Sequence, residues 1–251
     1  QKSGLDIELL DIKKARNIQP ILNPEMRGVA YCEEDSEINP INITLAFSNQ
    51  AQKLGAEVFL NTEVQDILVK NNKIQAVSTD KGKIFTEKVV NACGAWAPYI
   101  SKMVDIDLPI KPRRGQLIVS EAMPSMVRGH LLEAKYITIK YSHKKEQKND
   151  NSSDELGVGL SLGQSASGNL LIGGSRQFVG YNNKTSFKVL NKIIKNAVKM
   201  VPALNEIHMI RSFAGLRPYT PDGKPILGES FLKGFYIAAG HEGDGIALAP
   251  V

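Results

Sequence analysis

"GFYIAAGHEGDGIALAPV", residues 234–251, places an apolar, buried-strand pattern over Phe235 to Ala239, three glycines within the next six residues (Gly240, Gly243, Gly245), and then the start of a helix-like apolar pattern. Strand, glycine turn and helix start together form a geometry that can cradle an anion. Glycine lets backbone approach a ligand closely, and the first amides of a helix carry partial positive charge. For the glycines alone, a tight turn without a ligand is the simpler reading.

Upstream, "GLRPYTPDGKPILG" (215–228) changes that balance. Arg217 lies between a strand-like run, "IHMIRSFAG", and a turn fixed by proline. Its backbone is therefore held while its planar guanidinium can grip a carboxylate at two points. A local ion pair with Asp222 or Glu242 is the competing use of the same charge. Asp222 itself, in "TPDG", reads as a turn former rather than a catalytic carboxylate.

Composition bounds what these stretches can mean. With 251 residues, 42% of them hydrophobic, the chain can form one large domain or two modest ones around a sizeable core. No run approaches the roughly 18 apolar residues of a membrane helix, and Gln1 opens no secretion signal, so no membrane span and a cytoplasmic location are expected. Cys32 and Cys93 lack the paired spacing of a zinc site, so no metal and no disulfide framework are expected, and both thiols are expected to be buried. The formal charge of +5 comes from lysines scattered among 26 carboxylates, which argues against a nucleic-acid partner and suits a phosphate-bearing cofactor or an acidic substrate.

Along the chain, "LDIELLDIKKARNIQPILNP" has helical apolar spacing until Pro20 and Pro24 interrupt it. A helix is predicted from Asn39 and Pro40 to Gly55, followed by a strand at Glu57–Leu60. Alternating residues around Asn71-Asn72 and Lys81-Gly82 predict a three-stranded meander, which ends in "KVVNACGAW", a buried strand entering a tight turn. "GQLIVSE", "KYITIKY", "LGVGLSLG" and "GNLLIGG" predict a second, mostly antiparallel sheet, and "SHKKEQKNDNSSDE" a mobile surface excursion. "TSFKVLNKIIKNAVKMVP" predicts an amphipathic helix begun at Thr185 or Ser186 and stopped by Pro202. The fold class expected is α+β, and His208, alternating with apolar residues, is expected to be structural.

Taken in order, "VVNACGAWAP", "RRGQLIV", "SGNLLIGGSR", "GLRPYTPDGKPILG" and "YIAAGHEGDGIALAP" resemble the D-amino-acid oxidase-like flavoproteins, a family that includes glycine oxidase, sarcosine oxidase beta subunits and proline or hydroxyproline dehydrogenase subunits. The resemblance covers nearly the whole chain. It implies a substrate domain at residues 1–40 and 108–215, with residues 41–107 and 216–251 belonging to an incomplete, Rossmann-like FAD-binding domain. The family's G-x-G-x-x-G turn for the FAD pyrophosphate has no match here: Gly157, Gly159 and Gly163 have the wrong last spacing and lie among strands. The expectation is therefore a piece of a longer flavoenzyme.

By resemblance, noncovalent FAD would be lined by Val64, through its backbone, and by Cys93, Gly94, Ala95 and Trp96, the last more a core residue than a flavin stacker. Gly240, His241, Glu242, Gly243, Asp244, Gly245 and Ile246 would face the flavin ring, their amides favouring its reduced, anionic form. Arg217 matches the arginine that holds the substrate carboxylate and presents the alpha carbon for hydride transfer to flavin N5. His241 is expected to tune the flavin or complete the turn, and Tyr219 and Gln164 to reach the substrate. The implied partners are an amino-acid or amine substrate and an electron-acceptor subunit. Two other readings stay open: a non-catalytic subunit or scaffold of the same fold, and a flavin dehydrogenase for a hydroxy acid such as glycerol 3-phosphate, for which Arg176 and Arg211 would add cationic groups.

Overall fold

The structure, a computed structural model, describes residues 6–141 and 156–249; the polar excursion expected at 142–155 lies outside the described residues. Along the chain run β1 (Glu8–Asp11), α1 (Ile12–Ile18), β2 (Gly28–Tyr31), α2 (Pro40–Lys53), β3 (Val64–Lys70), β4 (Lys73–Thr79), β5 (Gly82–Phe85), β6 (Val89–Asn91) and α3 (Ala97–Lys102). They are followed by β7 (Lys111–Ala122), β8 (Leu131–Leu132), α4 (Ala134–Tyr141), β9 (Ser161–Gln164), β10 (Asn169–Gly173), α5 (Phe187–Met200), β11 (Met209–Tyr219), β12 (Ile226–Glu229), β13 (Phe235–Ala239) and α6 (Gly245–Leu248). This is the mixed architecture of helices and largely antiparallel sheets that the sequence predicts. Two compact units divide it: Gln1–Asn39, Arg114–Gln177 and Asn182–Gly215 form the first, and Pro40–Arg113, Phe178–Tyr181 and Leu216–Val251 the second.

The first unit is built on a five-stranded sheet in the order β11-β7-β10-β9-β8, with antiparallel pairing of β7 with β10, β10 with β9 and β9 with β8. Ile118, Leu162, Leu170 and Ile172 of this sheet pack with Val189, Ile193 and Ala197, which recur every four residues on α5 and form its buried stripe. Ser186 stands at the N-cap position of α5 without a side-chain capping bond, and the helix ends at Met200 with Val201 as its C-cap, before Pro202, where proline has no N–H to continue it. Beneath the helix start, buried Gln116 accepts from the Ser186 amide (2.7 Å) and donates to Gln177 (2.9 Å), so its polar groups are matched inside the protein.

Two predictions fail in this unit. The opening run is a strand and then a short helix: β1 pairs antiparallel with β2, and Asp11 caps α1 by accepting from the Lys14 amide (2.9 Å). Leu9 points outward and Leu10 inward, the period of a strand. "KYITIKY" is helix α4 and not a strand. Its start is pinned by Glu133, whose amide donates to Leu160 and whose carboxylate accepts from the Leu160 amide, and its Tyr136 lies so close to Gly159 that a Cβ there would come within 2.5 Å of the Tyr136 Cα. These tertiary contacts override the alternation of β-branched residues.

In the second unit β3, β4 and β5 form the expected meander, turning at Asn71-Asn72 with both residues left-handed (φ 52° and 57°) and at Gly82 (φ 129°). A second sheet has the order β12-β13-β6, with β13 parallel to β6 and antiparallel to β12. Phe235 is fully buried there against Ile67, Ile74 and Leu232. The strand expected at Glu57–Leu60 is absent: Val58, Phe59 and Leu60 are exposed and unpaired with any sheet. α2 has the expected limits but buries none of its residues, and Ile41, Leu45 and Phe47 stand exposed on it.

Fully burying an isoleucine and then deleting it leaves a cavity, so Ile193→Ala, at a side chain 1% exposed, should lower stability by about 2–5 kcal/mol in urea denaturation followed by circular dichroism. Phe187→Ala on the same helix, at an exposed ring, should stay within about 0.5 kcal/mol of the parent.

Candidate functional site

The candidate site lies in the second unit, where the end of β11 meets the turn between β13 and α6. Gly240 takes φ 88°, and a Cβ there would meet Thr220 Cγ2 at 2.7 Å, so only glycine serves. Glu242 is also left-handed (φ 49°), a cost that its contacts offset. Its amide donates to the Pro218 carbonyl (3.2 Å), and its Oε2 accepts from the Gly243 amide (2.9 Å). The Asp244 amide donates to the His241 carbonyl (2.9 Å).

Arg113, at the start of β7, holds this turn. Its Nε donates to Glu242 Oε1 at 3.0 Å and its Nη2 reaches the same oxygen, the two side chains being only 6% and 9% exposed. The guanidinium stacks 4.7 Å from the Tyr219 ring centre and 6.0 Å from that of Phe178, and these two rings meet edge to face at 5.0 Å. The aromatic faces thus supply part of the solvation that burial removes from the cation.

Arg217, on β11 next to Pro218, lies against the turn: a Cβ on Gly243 would be 3.8 Å from both Cδ and Nε of Arg217. The structure therefore brings together Arg217, Tyr219, Glu242 and Gly243. It spends the amides of Glu242, Gly243 and Asp244 inside the turn, so the anion cradle expected from the glycines is narrower than the sequence suggests. The amides of Gly245 and Ile246, the first two residues of α6, enter none of these bonds. His241 Nε2 is buried and has no hydrogen-bond partner among the described residues.

Around Cys93–Trp96 a second turn is fixed from below. Asn91, fully buried, donates to the Ala97 carbonyl (2.8 Å) and Ser101 Oγ (2.9 Å), and its oxygen accepts from the Cys93 amide (3.3 Å). Tyr181 donates to the Ala95 carbonyl (2.9 Å), and Gly94 is left-handed at φ 53°. Val64 lies at the start of β3, half-buried and paired with Thr79. Trp96 is not in the core as expected: it is 51% exposed, with its ring 5.9 Å from that of Tyr181. Nor are the cysteines buried. Cys32 is half-buried and Cys93 is exposed at its backbone turn, although packing around the thiol pushes its pKa above the ordinary value.

The remaining candidates belong to neither of these two turns. Gln164, in the first unit, spends its amide on its own surroundings: Oε1 accepts from the Met126 and Val127 amides (2.9 and 3.0 Å) and Nε2 faces the carbonyls of Met123, Pro124 and Gly168 (3.2, 3.0 and 3.0 Å). Arg176 is buried 4.3 Å from the Tyr136 ring centre, Arg211 is exposed, and Asp222 accepts from the Lys224 amide (3.1 Å) as a turn former does. Arg113 and Asn91 were not singled out by sequence reasoning, and Glu242, expected there as a partner of Arg217, is the partner of Arg113. The available signal was the pair of arginines in "RRGQLIV": on a strand they face opposite ways, so both sides of β7 must satisfy a cation.

A strand, a left-handed turn and a short helix lie beside a guanidinium, an arrangement that could receive an anionic ligand. The model of the family described as FAD dependent oxidoreductase matches residues 1–251, and the chain belongs to that family, whose cofactor is FAD. The hydrogen cyanide synthase subunit HcnC of Pseudomonas protegens is 30% identical over 98% of this chain and 54% of its own length. Among solved structures, L-proline dehydrogenase from P. horikoshii superimposes with a TM-score of 0.85 at 29% identity, covering 99% of this chain and 63% of that one. Glycine oxidase from Bacillus cereus does so with a TM-score of 0.85 at 26% identity, covering 100% and 62%. The chain spans about half the length of the curated relatives it matches. The residues fit the cofactor: the orphaned, buried His241 Nε2 and the first α6 amides are polar groups that a bound flavin can satisfy.

Two measurements probe this site. Glu242→Ala strands a buried guanidinium and should cost about 3–5 kcal/mol, whereas the double replacement Arg113→Met with Glu242→Met should recover most of that loss, as read by denaturant melts. A raised pKa means less thiolate at a given pH, so the iodoacetamide alkylation rate of Cys93 should reach half its maximum at a higher pH than that of a free cysteine, read by mass spectrometry.

Proposed function

We propose that this chain supplies the substrate-holding and flavin-facing parts of an enzyme that oxidises an amino acid or a secondary amine. The observation that supports the reading is the placement of Arg217 against Gly243, a cation of the kind that can take a carboxylate beside the turn that carries His241 Nε2 and the α6 amides. The names of the relatives support it, since glycine, sarcosine and L-proline are all small amino acids. The first unit is then the substrate domain and the second the remaining part of the FAD-binding domain.

In this mechanism Arg217 takes the substrate carboxylate in its fork and fixes the alpha carbon, with the Arg113–Glu242 pair and the Tyr219 ring keeping the surrounding wall in place. FAD, when bound, supplies the acceptor for the hydride lost from the alpha carbon. The residues His241, Gly245 and Ile246, with the Cys93–Trp96 turn and the Val64 backbone, would hold it. A neutral substrate amine drives the loss, so no side chain needs to act as base. Relatives named as subunits, HcnC and sarcosine oxidase subunit beta, favour a partner subunit that accepts the electrons. The exposed apolar residues of α2, Ile41, Leu45 and Phe47, suit contact with the remaining part of the flavin-binding fold.

In the full-length protein with FAD, Arg217→Ala should raise KM for the amino-acid substrate about 10- to 150-fold, the loss of a charge-assisted bidentate contact, with Arg217→Lys intermediate. Unchanged kinetics would remove Arg217 from the site. Residues 1–251 expressed alone should retain little FAD after desalting, and a stoichiometric yellow protein would overturn that expectation.

A further inference from the structure

We propose that Gly243 is a specificity-determining residue, and that the space its missing side chain leaves beside Arg217 accepts a substituent on the nitrogen or alpha carbon of the substrate. The substrate class is then substituted amino acids, N-alkylated or cyclic, rather than glycine alone; this rests on Arg217 holding the carboxylate.

The argument turns on what glycine does at each position of the turn. Gly240 needs its left-handed φ of 88° and has a 2.7 Å contact with Thr220 to avoid. Gly245 is tight, since a Cβ there would lie 3.3 Å from His241 Cβ. Gly243 meets neither demand. Its φ lies outside the left-handed region, and an added Cβ would touch only Arg217 Cδ and Nε, at the ordinary contact distance of 3.8 Å. Backbone and packing both tolerate a side chain at 243, so the fold accepts the conformational freedom of glycine there without needing it.

Among the described residues, the arm of Arg217 is what a Cβ at 243 would meet within 4 Å. Gly243 itself is exposed. It is also fixed. Glu242 on one side is locked by Arg113, the Gly243 amide is held by Glu242 Oε2 at 2.9 Å, and the Asp244 amide is held by His241 at 2.9 Å. A gap held rigidly beside a carboxylate-binding cation selects by size.

The test uses the full-length protein with FAD and the variants Gly243→Ala and Gly243→Val, assayed with glycine, sarcosine and proline. Binding of unreactive carboxylates, acetate against cyclopentanecarboxylate, is measured in parallel by calorimetry and needs no turnover. Gly243→Val should lower kcat/KM for proline and sarcosine, and weaken cyclopentanecarboxylate binding, about 10- to 200-fold more than it affects glycine and acetate, with Gly243→Ala showing a smaller shift in the same direction. Equal effects across both series would overturn the inference. If Arg217→Ala leaves the binding of every carboxylate unchanged, the underlying reading of Arg217 falls; if it weakens them all while the Gly243 variants treat all ligands alike, only the role of Gly243 falls.

Discussion

The buried pair of Arg113 and Glu242 is the constraint on which the second unit's ligand-facing surface depends. Two charges removed from water each lose hydration, a cost offset when they pair, and here the carboxylate takes the guanidinium edge while the Tyr219 and Phe178 rings lie 4.7 and 6.0 Å from it. Because Glu242 sits mid-turn in a left-handed conformation, fixing its side chain fixes the backbone on both sides. Pro218 and Gly243 are tied to Glu242 by hydrogen bonds of 3.2 and 2.9 Å, and the Asp244 amide closes the turn on the His241 carbonyl at 2.9 Å. The positions of Arg217 and His241 are consequences of that chain of contacts rather than of local propensity.

The two turns of this unit share one logic. In each, a polar side chain accepts from a turn amide and is itself tied elsewhere: Glu242 takes the Gly243 amide and pairs with Arg113, and Asn91 takes the Cys93 amide and donates to Ser101. The buried polar groups are matched, so the turns are rigid, and their outward surfaces are left with few polar atoms to offer. His241 Nε2 is the exception that the internal bonds do not absorb. An unsatisfied buried nitrogen is costly in an empty fold and useful in one that holds a cofactor.

What was legible in the sequence was local. The meander could be read from Asn71-Asn72 and Gly82, α5 from its four-residue apolar stripe and Pro202, and the glycine turn from the spacing of Gly240, Gly243 and Gly245. What was not legible depends on distant partners. Arg113 finds Glu242 across 129 residues, and no window of sequence contains both. "KYITIKY" has the composition of a strand, and only the contacts of Glu133 and Tyr136 with the segment at 159–160 make it helical. Trp96 looked like a core residue because tryptophan is large and apolar, yet its turn ends at the surface. Gln164 has the chemistry of a substrate contact and is occupied instead in stapling residues 123–127 and 168.

Trp96 is the sole tryptophan of the 251 residues, and it stands half-exposed on the Cys93–Trp96 turn with Tyr181 beside it. All indole fluorescence of this chain therefore originates at one address. Its emission wavelength and intensity give a label-free optical gauge of how wet that turn is, and any chromophore settling nearby would dim it by energy transfer.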